Sequence, residues 1–122
     1  MTISEVSKML DLSQDTIRYY ERIGLIPSIM RKSSGVRDFS EDDCKNINFI
    51  KCMRNAGMPI EVLIEYVSLV AQGESTEVAR QELIIEQRKI LMDKVEEMKQ
   101  TIERLDYKIE FYGNRALNKK ES

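Results

Sequence analysis

Histidine and tryptophan are both absent from this 122-residue sequence. Without an imidazole there is no histidine general base, no Ser-His-Asp triad and no His-ligated metal. Two cysteines, Cys44 and Cys52, are too few for a four-thiolate zinc site in one chain. They also argue against a secreted disulfide framework. Glycine is scarce at five, and none forms a phosphate-cradling loop. No cofactor or metal is therefore expected, and an enzyme is disfavoured before any motif is read. Uninterrupted apolar runs are only a few residues long, so no segment is expected to span a membrane. The start, Met1-Thr2-Ile3-Ser4-Glu5, has no basic region followed by an apolar stretch, and a cytoplasmic location is expected. Three Phe and five Tyr supply all the aromatic bulk, enough for one thin core.

Charge is abundant but uneven. The net charge is −2, yet residues 16–37 hold five cations (Arg18, Arg22, Arg31, Lys32, Arg37) against the single anion Glu21. A local basic face can bind a polyanion whatever the overall charge. The bland alternative is a solvated face.

Apolar periodicity predicts a short helix over residues 3–10, from Ile3, Val6, Met9 and Leu10, with Thr2 or Ser4 as cap. Ser13 reads as the N-cap of a second helix that runs to about Ile23 and closes at Gly24. Two short helices joined by a tight turn match a helix-turn-helix over residues 3–23. Pro27 biases Ile26 to an extended conformation. Residues 29–39 predict two short strands turning at Ser34-Gly35, a basic wing. Ser40 with Asp43 suggests an imperfect capping box for a third helix, with Ile47, Phe49, Ile50 and Met53 as apolar positions. Gly57 stops it, and Pro59 opens a fourth helix ending near Ala71. Residues 72–75 read as the inter-element linker. Residues 1–71 thus form one predicted domain.

From residue 76 to 112 there is no proline and no glycine. Leu91, Val95, Met98, Ile102, Leu105, Ile109 and Tyr112 alternate steps of four and three, a heptad seam. A helix of that length runs to about 52 Å, too long to be buried against a small domain. Homodimerisation through a coiled coil is the economical expectation, with an intramolecular helical hairpin as the alternative. Gly113 is expected to end the helix and leave residues 113–122 as a flexible tail. The predicted fold class is mainly α: a winged helix-turn-helix with a short β-wing, a second helix pair and a long C-terminal dimerisation helix.

A dimer of such heads would read an inverted repeat in duplex DNA. The second helix offers the hydroxyls of Thr16, Tyr19 and Tyr20, and the Arg18 fork suits guanine or phosphate. Ile17 and Tyr20 share a helix side, so one tyrosine of the pair is expected to be structural. Arg31, Lys32 and Arg37 on the wing suit phosphates.

Ile3-Ser4-Glu5-Val6, then Thr16-Ile17-Arg18-Tyr19-Tyr20-Glu21-Arg22-Ile23-Gly24-Leu25-Ile26-Pro27, then Gly35-Val36-Arg37-Asp38-Phe39 resemble the MerR family of bacterial transcription regulators. The resemblance covers residues 1–70 by motif and the long helix by layout. It implies an antiparallel dimer coil and a promoter with an overlong spacer. By the same resemblance, the regulator is expected to distort that promoter so that RNA polymerase engages both elements. It also places Thr16, Arg18, Tyr19, Tyr20 and Arg37 on DNA-contact positions. The family commonly has Tyr where this sequence has Phe39.

Residues 76–122 hold no Cys or His, which removes the ligands of metal-sensing members, and the large ligand-binding domain of other members is not expected after the coil. What remains is Cys52, within Ile50-Lys51-Cys52-Met53-Arg54. This resembles the branch typified by AdhR and NmlR, which implies a response to aldehydes and related electrophiles. Lys51 and Arg54 are expected to favour the thiolate, against the dipole at the helix C-terminus. A buried, inert cysteine is the plain alternative. Cys44 lies about 12 Å from Cys52 along a helix, which excludes a disulfide between them. The competing functions are a family regulator with no thiol sensing, an architectural or excision-type DNA-binding protein, and a thiol enzyme built on Cys52 with no evident base.

Overall fold

The computed structural model describes residues 1–121; Ser122, the last residue of the expected tail, lies outside them. Among the described residues five α-helices follow one another: α1 Ile3–Leu10, α2 Gln14–Arg22, α3 Glu41–Asn55, α4 Ile60–Ala71 and α5 Glu77–Glu121. A 3₁₀ turn, Glu74–Thr76, leads into α5. Contacts divide the chain into a unit of residues 1–84 and a second unit from Ile85 onward.

The first three helices begin where side chains satisfy the first orphan N–H groups. Thr2 and Glu5 form a capping box on α1, with Glu5 N–H donating to Thr2 Oγ1 at 3.1 Å and Thr2 N–H to Glu5 Oε1 at 3.2 Å. Ser13 accepts from Thr16 N–H at 3.0 Å to start α2. On α3 both arms of the Ser40/Asp43 box are made, at 3.1 and 2.8 Å, so aspartate's shorter reach still suffices. Between α2 and the extended Ile26-Pro27 step, Gly24 adopts φ +83° and lets Leu25 N–H fold back to Tyr20 carbonyl at 2.9 Å.

The core gathers one to three residues from each of α1 to α4 and others from the connection and wing between α2 and α3. Val6 of α1, Ile17 and Tyr20 of α2, Leu25, Ile26 and Ile29 of the connection, Phe39, then Cys44, Ile47 and Ile50 of α3 and Leu63 of α4 are all buried. Phe49, expected inside, points off this core and packs against Tyr66 with ring centroids 5.7 Å apart. Its register on α3 falls between the buried 47 and 50 positions.

The wing departs from the predicted pair of strands. Among the described residues its pairing is one antiparallel bridge, Arg31 to Arg37, rather than regular strands. Lys32 N–H donates to Val36 carbonyl at 2.8 Å and Asp38 N–H to Met30 carbonyl at 2.7 Å. Gly35, at φ +88°, completes the turn. The arms are short and solvated, and an isolated two-stranded ribbon has too little apolar cover to extend.

Residues 72–75 are a bonded corner rather than a loose linker. Thr76 is buried, with Oγ1 2.6 Å from Leu69 carbonyl and 2.8 Å from Gly73 carbonyl. Arg80 reaches back to Thr76 Oγ1 at 3.0 Å and to Gly73 carbonyl at 2.8 Å. The Leu69 carbonyl near the end of α4 thereby gains a side-chain donor beside Gln72 N–H.

In the second unit, α5 runs through Gly113 to Glu121, so the expected helix end at Gly113 and the tail from 113 are corrected. Glycine inside a helix is disfavoured by about 1 kcal/mol against alanine, which weakens a helix without ending it. Contacts one turn apart span the position: Arg115 lies over the Phe111 ring at 5.7 Å. Every seam residue is exposed in the single chain, from Leu91 at 42% to Ile109 at 70%. No helix of the described residues is long and apolar enough to cross a membrane.

Candidate nucleic-acid interface

The second helix of the helix-turn-helix buries Ile17 and Tyr20 and turns the intervening positions outward. Arg18 is exposed, its guanidinium held along the helix by Asp15 Oδ1 at 3.0 Å and Gln14 Oε1 at 3.2 Å. Tyr19 is also exposed, with the Arg22 guanidinium 5.4 Å from its ring centroid. Arg22, named from the sequence only as one cation of the basic face, lies over that ring. Thr16 is half-buried, and its hydroxyl lies 2.7 Å from that of the cap Ser13. Tyr20 is only 8% exposed. The structure therefore gives the tyrosine pair divided roles, with Tyr19 facing solvent and the Tyr20 ring in the core.

On the wing Arg31 and Lys32 are exposed, and Arg31 donates to Gly35 carbonyl at 2.8 Å, bracing the turn. Arg37 is more enclosed. Its Nε donates to Glu21 Oε1 at 2.8 Å, while Glu21 Oε2 accepts Ile29 N–H at 2.6 Å. Burial pushes the Glu21 carboxyl up, but the Ile29 and Arg37 hydrogen bonds and the Arg37 charge outweigh it and hold the group below the usual glutamate range. Phe39 is buried at 2%, so the ring at this position belongs to the core beneath the wing. Arg18, Tyr19, Arg22, Arg31, Lys32 and Arg37 all lie on α2 or on the wing that Glu21 ties to it.

The profile of the MerR HTH family regulatory proteins matches residues 1–69. The chain belongs to the MerR family. Its relatives include the HTH-type transcriptional regulator AdhR of Bacillus subtilis, 50% identical over 93 residues. That match takes in 76% of this chain and 66% of AdhR, just under two thirds of the relative's length. Among solved structures, a MerR family transcriptional regulator from Listeria monocytogenes superposes with a TM-score of 0.95 at 45% identity, over 99% of this chain and 92% of that one. HiNmlR, a MerR family regulator lacking the sensor domain and bound to promoter DNA, superposes with a TM-score of 0.85 at 26% identity, over 93% and 90% of the two chains. These relatives are regulators, not enzymes.

In this MerR-family chain Cys52 is exposed on α3 and Cys44 is buried; both are free thiols. Burial pushes the Cys44 thiol up, and Asp43 adds to the effect. The cations flanking Cys52 are engaged elsewhere. Lys51 Nζ donates to Leu10 carbonyl at 2.6 Å, closing the C-terminus of α1, and Arg54 donates to Met58 carbonyl at 2.8 Å across the α3–α4 turn. Both charges therefore sit on carbonyls at the ends of structural elements. The sequence singled out these two residues but not their structural duties, because neither carbonyl is a neighbour of its cation along a helix face. Glu21 was legible only as a lone acid in a cationic stretch.

Proposed function

We propose that this MerR-family chain is a homodimeric, sequence-specific regulator that binds an inverted repeat in double-stranded promoter DNA. The carrying observation is the surface of α2 and the wing, where exposed Arg18, Tyr19, Arg31 and Lys32 stand on a buried core in a fold that also occurs in HiNmlR bound to promoter DNA. Arg18 and Tyr19 are the base-reading candidates, and Thr16 contributes at the α2 start. Arg31, Lys32 and Arg37 engage phosphates, while Tyr20 supports the recognition helix from the core rather than meeting DNA. The seam of Leu91, Val95, Met98, Ile102, Leu105, Ile109 and Tyr112 joins the two copies, antiparallel as the family resemblance implies. Residues 1–71 serve as the reading head and 76–112 as the dimerisation segment.

Regulation follows from DNA mechanics. Bending and untwisting a site of this size takes on the order of 1–10 kcal/mol. A dimer that distorts an overlong promoter spacer brings both promoter elements within reach of RNA polymerase. A signal need only bias two conformations of the dimer to switch that distortion.

The signal proposed is a reactive aldehyde meeting Cys52. The thiolate sulfur adds to the carbonyl carbon, the carbonyl oxygen takes a proton, and a hemithioacetal forms without an oxidant. Exposure of Cys52 and 50% identity to AdhR support this reading. With Lys51 and Arg54 bonded to carbonyls, a second reading is a family regulator without thiol sensing.

Selection from a pool of random duplexes is expected to return an inverted repeat that outcompetes scrambled duplex by about 1,000-fold or more. Equal affinity for scrambled DNA would end the regulator proposal. Cys52→Ser is expected to leave that binding intact and to remove induction of a promoter reporter by formaldehyde or methylglyoxal. Induction persisting in the serine variant leaves the regulator standing without the sensor.

A further inference from the structure

Glu21 occupies a doubly unfavourable place for an acid. It is the penultimate residue of α2, where the helix dipole disfavours negative charge, and it lies in the cationic stretch proposed to face phosphates. The fold turns its charge inward. The side chain is only 14% exposed, and each oxygen takes one donor from an opposite arm of the wing, Ile29 N–H on one and Arg37 Nε on the other. Binding through Nε leaves the outer guanidinium nitrogens of Arg37 without a partner among the described residues, and the side chain is 23% exposed. Those outer nitrogens are the edge of the fork that matches a phosphate.

We infer that Glu21 is a positioning residue for DNA binding. It acts through Arg37, setting both arms of the wing against α2 and fixing the guanidinium so that its outer edge presents two N–H donors to one backbone phosphate. An arginine already held in one rotamer loses less side-chain entropy on binding. The carboxylate thus strengthens DNA binding although its own charge opposes it. This inference rests on the reading of Arg37 as a phosphate contact.

The test uses the full chain and the inverted-repeat duplex selected by the wild-type protein, with affinity measured by fluorescence anisotropy across a salt series. Glu21→Gln is expected to weaken binding about three- to tenfold and to lower the salt slope by about one. Arg37→Ala is expected to do the same, and the double variant to bind no more weakly than Arg37→Ala alone. Additive losses in the double variant, or a Glu21→Gln chain that binds as tightly as wild type or tighter, overturn the inference. Unchanged binding by Arg37→Ala removes the phosphate reading and the inference together. Circular dichroism checks that each variant is folded. If Glu21→Gln does not fold, Arg37→Lys decides: it keeps the charge but loses the Nε contact, and wild-type affinity in it overturns the inference.

Discussion

A chain carrying Ile102→Asp is expected to sediment as a monomer at micromolar concentration and to bind its operator at least about 100-fold more weakly than wild type. Ile102 is the middle one of the seven seam residues and is 55% exposed in the single chain. A heptad seam uses such positions as knobs in a dry interface, and a carboxylate placed there is desolvated without a partner. In an antiparallel pair centred on this residue, the two carboxylates would also face each other, adding like-charge repulsion. The effect on DNA is larger than the effect on any single contact. Joining two heads turns the second half-site contact into an intramolecular event, which multiplies affinity by about 10²–10⁴. Sedimentation velocity together with anisotropy on the selected duplex checks both parts. Glu103→Lys, on the outer face of the same helix, is the control and is expected to leave both unchanged. A wild-type sedimentation coefficient and wild-type affinity for Ile102→Asp would sink the dimer proposal.

Ile47→Ala is expected to destabilise the residue 1–84 unit by about 2–5 kcal/mol. Ile47 is fully buried and sits on the α3 face that meets the core containing Val6 of α1, Ile17 and Tyr20 of α2, and Leu63 of α4. Removing three carbons leaves a cavity that the surrounding core side chains fill only in part. Domains of this size have only about 5–15 kcal/mol in hand, so the loss removes a large share of their stability. At about 4–8 °C per kcal/mol, the midpoint falls by about 8 °C or more. Thermal and urea unfolding followed by circular dichroism measures it, with the exposed neighbour Asn48→Ala expected within about 0.5 kcal/mol of wild type. A change below about 1 kcal/mol at Ile47 would show that this core is not what holds the head together.

The four short helices, their order and the side-chain caps of the first three were readable from residues because each signal is local. A capping side chain reaches three residues, and an apolar stripe repeats within two turns. The family signature over residues 16–27 was legible for the same reason, as was the seam of α5. Other features depended on partners distant in the chain. The wing's strands shortened to one bridge because strand length follows from cover that a local pattern does not report. Gly113 did not end α5 because a helix end needs more than one weak position. Tyr20 went inward and Tyr19 outward; the i, i+3 relation to Ile17 pointed that way.

Composition and local pattern alone excluded histidine chemistry and settled a mainly helical chain with a basic head and a heptad rod. Those properties are set by residue type and by spacing along a helix. Contacts between distant segments decided which of the charged residues hold the fold and which face outward. Lys51 closes α1 forty-one residues away, and Glu21 takes up Arg37 across the wing. The physical reason is that a cation satisfies whichever carbonyl or carboxylate the folded chain brings within about 3 Å.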